Sequence, residues 1–129
     1  DVSDATELER AVTAFASRGH GGLIVTASPA ASRHRHLIIA LADKHKLPAV
    51  YPRRVFASEG GLIAYGPDYV DQFRRAAEYV HRVLSGEKAA ELPVQASTKY
   101  ELIINRRTAK SLPLDVSAAL LARADEVIE

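Results

Sequence analysis

Three short stretches of the 129-residue chain carry side chains able to hold a small molecule. Ala27-Ser28-Pro29, Tyr51-Pro52-Arg53-Arg54 and Tyr65-Gly66-Pro67-Asp68 together supply a hydroxyl, two phenols, two guanidiniums and a carboxylate. Two aromatic walls with a cation and an anion suit a small zwitterion or a polar aromatic molecule. The rings offer apolar area, and the charged groups offer charge-assisted hydrogen bonds. The same residues also have structural uses. Tyr51 and Tyr65 can close a core, and Asp68 can cap the helix that follows it.

Other chemistries find less support. Gly19 to Gly22 precede a strand-like run, whereas a phosphate-binding loop leads from a strand into a helix, so these glycines read as a helix stop. His34 and His36 have the spacing of one strand face but fall in a helical stretch, where positions two apart diverge. His20 and His45 are isolated in sequence, and no metal site is expected. Ser28 has no flanking glycine to form a nucleophile elbow. Asp43 and Asp68 lie near His45 and Tyr69 without triad spacing, so Ser28 is expected to cap or to bond a ligand, with no catalytic residue and no cofactor. The basic groups Arg33-His34-Arg35-His36, Arg53-Arg54, Arg74-Arg75 and Arg106-Arg107 are offset by nearby acids, and aromatics are only 6% of residues. They read as solvated faces, with no nucleic-acid partner.

The elements that must position the three stretches follow from periodicity. Residues 5–18 predict an amphipathic helix with Leu8, Val12 and Phe15 on one face, capped by Ser3 or Asp4. Leu23 to Thr26 predict a buried strand, and 30–45 a helix. Residues 47–51 and 62–65 predict two more strands. Val55 to Ser58 read as a helical turn or irregular chain. Residues 68–85 give the clearest helix, with Tyr69, Phe73, Ala76, Ala77, Val80 and Leu84 as its stripe and Gly86 as its stop. The stretch from Gly86 to Thr98 reads as a linker. Residues 100–105 predict a strand, a short helix runs to Leu112 with Pro113 breaking it, and 117–125 predict a last helix. Strands alternating with helices imply an α/β fold with a parallel sheet flanked by helices, whose carboxyl ends would gather the three stretches at one edge.

Composition sets the remaining bounds. Seventeen Lys and Arg against sixteen Asp and Glu give a net charge of +1, which recommends no polyanionic partner. With no cysteine there is no disulfide, no thiolate metal site and no thiol nucleophile. No apolar run approaches the roughly 20 residues of a membrane helix, and no signal-peptide pattern opens the chain. There is also no methionine, so Asp1 is expected to be a processed or truncated start, either after a removed leader or within a longer protein.

A set of stretches runs in order along the chain. It comprises Leu47-Pro48-Ala49-Val50-Tyr51, Glu59-Gly60-Gly61-Leu62-Ile63-Ala64-Tyr65-Gly66-Pro67-Asp68, Phe73-Arg74-Arg75-Ala76-Ala77, Leu84-Ser85-Gly86 and Leu92-Pro93-Val94. Glu101-Leu102-Ile103-Ile104-Asn105, Thr108-Ala109-Lys110 and Leu120 to Ile128 complete it. From Gly22 onward this set resembles the ABC transporter substrate-binding protein family, whose members include tryptophan- and tyrosine-binding proteins of bacterial importers.

The resemblance implies a type I periplasmic-binding-protein fold of two α/β lobes, of which this chain is the C-terminal portion. Residues 1–66 would belong mainly to the second lobe, 67–98 would cross toward the first, and 99–129 would return. By place in the family, Ser28, Tyr51, Arg53, Tyr65 and Asp68 would line the ligand cleft, with Asp68 suited to a ligand ammonium and Arg53 to a carboxylate. The chain has Ser28-Pro29 where some amino-acid-binding relatives carry Asp-Asn-like residues. The implied function is binding of a small molecule, with an aromatic or other amino acid as one class, and its delivery to an ABC permease from the periplasm without chemical change. A sensor or transcriptional regulator using the same fold as its effector domain is the alternative. Apolar surface uncovered by truncation would favour a homodimer or element swapping. A lone lobe would offer half the contacts, so weak ligand binding or none is expected of it.

Overall fold

The computed structural model describes residues 4–112 and 114–129. The expected cap at Ser3 and break at Pro113 lie outside them. The chain divides into two compact units, residues 1–66 with 101–129, and residues 67–100.

In the first unit, α1 (Ala5–Ala16) begins where the Asp4 carboxylate accepts the backbone N–H groups of Thr6 and Glu7, and it turns Leu8 and Val12 into the core. The strand β1 (Leu23–Ile24) follows. The single helix expected over 30–45 is two, α2 (Pro29–Arg33) and α3 (Arg35–Lys44), because His34 adopts φ −96° and ψ 17° between them. The strand β2 (Ala49–Tyr51) leads into α4 (Arg54–Ser58), which resolves the ambiguous stretch as helix. The strand β3 (Ile63–Pro67) comes next. After the second unit the chain returns through β4 (Tyr100–Asn105), α6 (Arg106–Ser111), α7 (Ala118–Leu121) and β5 (Glu126–Ile128). The sequence pattern did not announce β5. Three residues at a chain end are too few for a period, and the strand exists because Glu126, Val127 and Ile128 pair with Ile103, Ile104 and Asn105.

The sheet runs β1-β2-β3-β4-β5, and the mixed α/β architecture is a largely parallel sheet flanked by helices. β1 with β2, β2 with β3, and β4 with β5 are parallel. β4 runs against its neighbour β3: Asn105 N–H donates to Leu62 C=O at one end, and Asp68 N–H donates to Lys99 C=O at the other.

Register divides the strand residues between two faces. Leu23 pairs with Ala49, and Tyr51 with Ala64, on one face. Ala49, Tyr51 and Ala64 are buried there, and Phe56 stacks on Tyr51 at 5.1 Å between centroids and 18° between planes. Burying a side chain of that size contributes about 1.5–3 kcal/mol. Ile24, Val50, Ile63 and Tyr65 share the opposite face, where Ile24 stays 84% exposed.

The second unit is built on α5 (Tyr69–Leu84). Arg75 donates to Gln95 Oε1 and Thr98 Oγ1, and the Tyr79 hydroxyl donates to Pro93 C=O, which ties the irregular 93–98 stretch to the helix. A 3-10 turn at Ala89–Glu91 interrupts the expected linker. The apolar stripe of α5 is present in sequence but none of its residues is buried; Phe73 is 76% and Leu84 82% exposed.

Candidate functional site

The first unit holds four of the five residues expected at a ligand site. Ser28 follows β1 in extended conformation, and its Oγ accepts the Ala31 N–H at 3.0 Å, capping α2 with Pro29 at the first helical turn. The helix therefore starts here because a hydroxyl satisfies one of its orphan N–H groups. Ser28 also lines a cavity of about 180 Å³ with Leu23, Ile24, Val25 and Thr26 of the β1 edge and Leu8 and Val12 of α1. The lining is mostly apolar, so this space suits hydrocarbon or ring area better than charge.

Tyr51 and Tyr65 do not wall one site. Tyr51 pairs with Ala64, so Tyr65, one residue on, points to the other face of the sheet. Tyr51 is 1% exposed and committed to Phe56, and burial pushes its phenol up to about 12. It shapes the core under the site, whereas Tyr65 is 57% exposed on β3. The register corrects the expectation of two aromatic walls and leaves one.

The two guanidiniums also part company. Arg53 sits two residues past β2, partly buried, with its carbonyl accepting the Phe56 N–H as α4 begins. Arg54 lies 2.5 Å from Glu126 of β5, and that hydrogen bond raises its pKa above the ordinary arginine value. Arg54 thus ties α4 to the last strand. Ser28, Arg53 and Tyr65 are carried by three neighbouring parallel strands or the loops at their carboxyl ends, the edge where open parallel sheets hold ligands.

A second hollow of the first unit, about 530 Å³, is lined by His36, Asp43, Glu59, Arg107, Thr108 and Ser111 among others. Its charged side chains already have partners: Glu59 Oε2 lies 2.7 Å from Arg35 Nε and 3.4 Å from His36 Nδ1, Asp43 pairs with Lys46, and Arg107 donates to the Glu129 carbonyl. Among the described residues, no group of three or more His, Cys, Asp or Glu side chains could hold a metal ion.

The second unit holds the fifth expected residue. Asp68 Oδ1 accepts the Asp71 N–H at 3.1 Å and caps α5. Asp68 Oδ2 lies 2.8 Å from Lys99 Nζ. The Lys99 ammonium first, and the Asp71 N–H second, hold the Asp68 carboxyl below the usual aspartate range. In return, Asp68 raises Lys99 above the usual lysine range. Sequence reasoning missed Lys99. Its only signal was that residues 68 and 99 flank two strands that run in opposite directions, and the strand direction is not written in either stretch.

A family model described as ABC transporter substrate binding protein matches residues 1–128. Among solved structures, the chain is similar to an ABC domain in complex with L-Trp from Streptococcus pneumonia, with TM-score 0.86, 22% identity, and 97% of this chain covering 42% of that one. It is similar to a conserved domain protein from Vibrio cholerae O1 biovar El Tor strain N16961, with TM-score 0.83, 23% identity, and 96% of this chain covering 42% of that one. A ligand-free, open substrate-binding protein with adhesive properties from Clostridium difficile follows, with TM-score 0.68, 18% identity, and 97% of this chain covering 41% of that one. No curated protein matches the chain. The chain thus spans about two fifths of the length of these solved structures.

Proposed function

Since the chain belongs to the ABC transporter substrate-binding protein family, we propose that it contributes one wall of a solute site and binds a small molecule without changing it chemically. The observation that carries this reading is the shared edge of β1, β2 and β3, which supports Ser28, Arg53 and Tyr65 on neighbouring strand ends. The Tyr65 ring offers apolar area, the Arg53 guanidinium matches a carboxylate, and the loop at Ser28 offers backbone and hydroxyl groups. By its place in the family, Asp68 of the second unit is proposed as a ligand contact in its own right.

On the same reading, residues 1–66 belong mainly to the second lobe of a two-lobe protein, 67–98 cross toward the first, and 99–129 return to the second. The longer protein works in the periplasm and hands its solute to an ABC permease. The exposed stripe of Val70, Phe73, Val80 and Leu84 supports a further layer of protein over α5. No helix among the described residues is long and apolar enough to cross a membrane.

The test is nuclear magnetic resonance titration of the 129-residue chain with a panel of small aromatic and aliphatic acids and amino acids. Saturable shifts that cluster on the residues around Ser28, Arg53 and Tyr65, with unaltered compound recovered afterwards, are the expected result. Scattered shifts, or conversion of a compound by the chain, would overturn the reading.

A further inference from the structure

The exposed apolar residues of α5 keep a strict order. Val70, Phe73, Ala77, Val80 and Leu84 follow one another at intervals of three, four, three and four residues. That spacing is the seam of a two-helix coiled coil, narrower than the face a helix turns into a globular core. All five are exposed, Val70 at 68% and Val80 at 57%. The second unit does not use this seam. Its own ties to α5 come from Arg75 and Tyr79, which with Gln72 line a hollow of about 400 Å³ against residues 93–97 on another side of the helix. The charges beside the seam are of both signs, with Arg74 and His81 next to it and Asp71 and Glu78 beyond them. A helix lying on an anionic membrane surface would instead carry Lys and Arg over its polar face. Mixed signs in one row suit a partner that carries the same row reversed.

We propose that a second copy of this chain covers the seam, with the two α5 helices antiparallel and centred on Ala77. A parallel partner in register would set Phe73 on Phe73 and Ala77 on Ala77, crowding one layer and leaving the next hollow. The antiparallel partner sets Val70 against Leu84 and Phe73 beside Val80, and the two alanines between them leave room for both rings. It also lays like flanks side by side, so that Arg74 of each helix comes near Glu78 of the other. The two-fold axis makes that ion pair twice. Opposed helix dipoles favour the same direction. This inference goes beyond the solute-binding reading and does not rest on it.

The chain has no cysteine, so single introduced thiols report the pairing directly. Val70 and Leu84 lie about 21 Å apart along the helix, farther than a disulfide spans. Val70→Cys and Leu84→Cys chains are mixed and oxidised, and the products are identified by mass. The expected result is that the disulfide between the two different variants forms roughly tenfold faster than either like-to-like product, whose thiols start that distance apart. Sedimentation velocity then follows the charge row. Arg74→Glu and Glu78→Arg are each expected to weaken association about threefold to tenfold, through two like-charged contacts per dimer, and the double variant to restore it. All four positions are exposed, and unchanged far-ultraviolet spectra keep folding apart from association. Val70→Cys chains that join each other as fast as they join Leu84→Cys chains would overturn the inference. So would single charge changes without effect, or a chain that stays monomeric at millimolar concentration. Each of these outcomes leaves solute binding standing.

Discussion

Asn105 donates its Nδ2 to the backbone carbonyl of Ala57 at 2.9 Å, across 48 residues of sequence. Asn105 is 5% exposed, and its Oδ1 accepts the Thr108 N–H that opens α6. One side chain thus joins the end of β4 to α4 and caps the next helix. Asn105→Ala removes one of the donors to the Ala57 carbonyl, which keeps the Gly60 N–H, and leaves α6 uncapped, at a combined cost of about 2 kcal/mol in urea unfolding. Asn105→Asp keeps the cap but cannot donate while ionised, so its deficit should shrink as pH falls and the carboxyl regains a proton. A deficit independent of pH would contradict the assigned bond.

Gly66 is fixed by closeness of backbone. A Cβ there would lie 2.0 Å from the Pro52 carbonyl oxygen, with no flexible side chain to yield. Gly66→Ala must push β2 and β3 apart beside Tyr65 and Arg53, and is expected to cost about 3 kcal/mol. Unfolding at the unaltered denaturant midpoint would contradict that packing.

Tyr51 makes stability fall in strong alkali. Its phenol is raised by burial from 10.0 to about 12, so the folded state holds a proton that the unfolded state has already lost between those values. The stabilisation is complete below pH 10 and is lost as pH climbs toward 12, by about 3 kcal/mol. Absorbance titration should show a tyrosine ionisation step near pH 12, and Tyr51→Phe should remove it.

The stripe on α5 should make the isolated chain self-associate. Phe73 and Leu84 are large, apolar and exposed, and burying one such side chain at a contact contributes about 1.5–3 kcal/mol, or roughly tenfold in affinity. Sedimentation velocity is expected to show concentration-dependent association that Phe73→Glu weakens at least tenfold, with the far-ultraviolet spectrum unchanged. A chain that stays monomeric at high concentration would contradict this.

The alternation of helices and strands was legible because apolar runs at Leu23–Val25, Ala49–Tyr51 and Ile63–Tyr65 are short, β-rich and bounded by turn residues. The strand ends carrying Ser28 and Arg53 could therefore be placed at one edge. Three things were not legible. β5 is too short to have a period, and it forms by pairing with β4. The separation of Tyr51 from Tyr65 depends on register, since a slip of one residue exchanges the faces. The Asp68–Lys99 pair depends on β4 running against β3, a property of strand direction that residue types do not encode.

The central claim is that this chain holds a small solute through Arg53 and Tyr65 and does not transform it. The direct measurement is an equilibrium titration of the 129-residue chain with indole-3-propionate, beside Arg53→Ala and Tyr65→Ala, followed by resonances of residues 24–28 and 52–66. The account predicts saturable one-to-one binding of about millimolar strength, near −4 kcal/mol, as befits one wall of a site. Each substitution should weaken it at least tenfold without unfolding the chain. Binding that is unaffected by both substitutions, or already micromolar in the chain alone, would contradict the account.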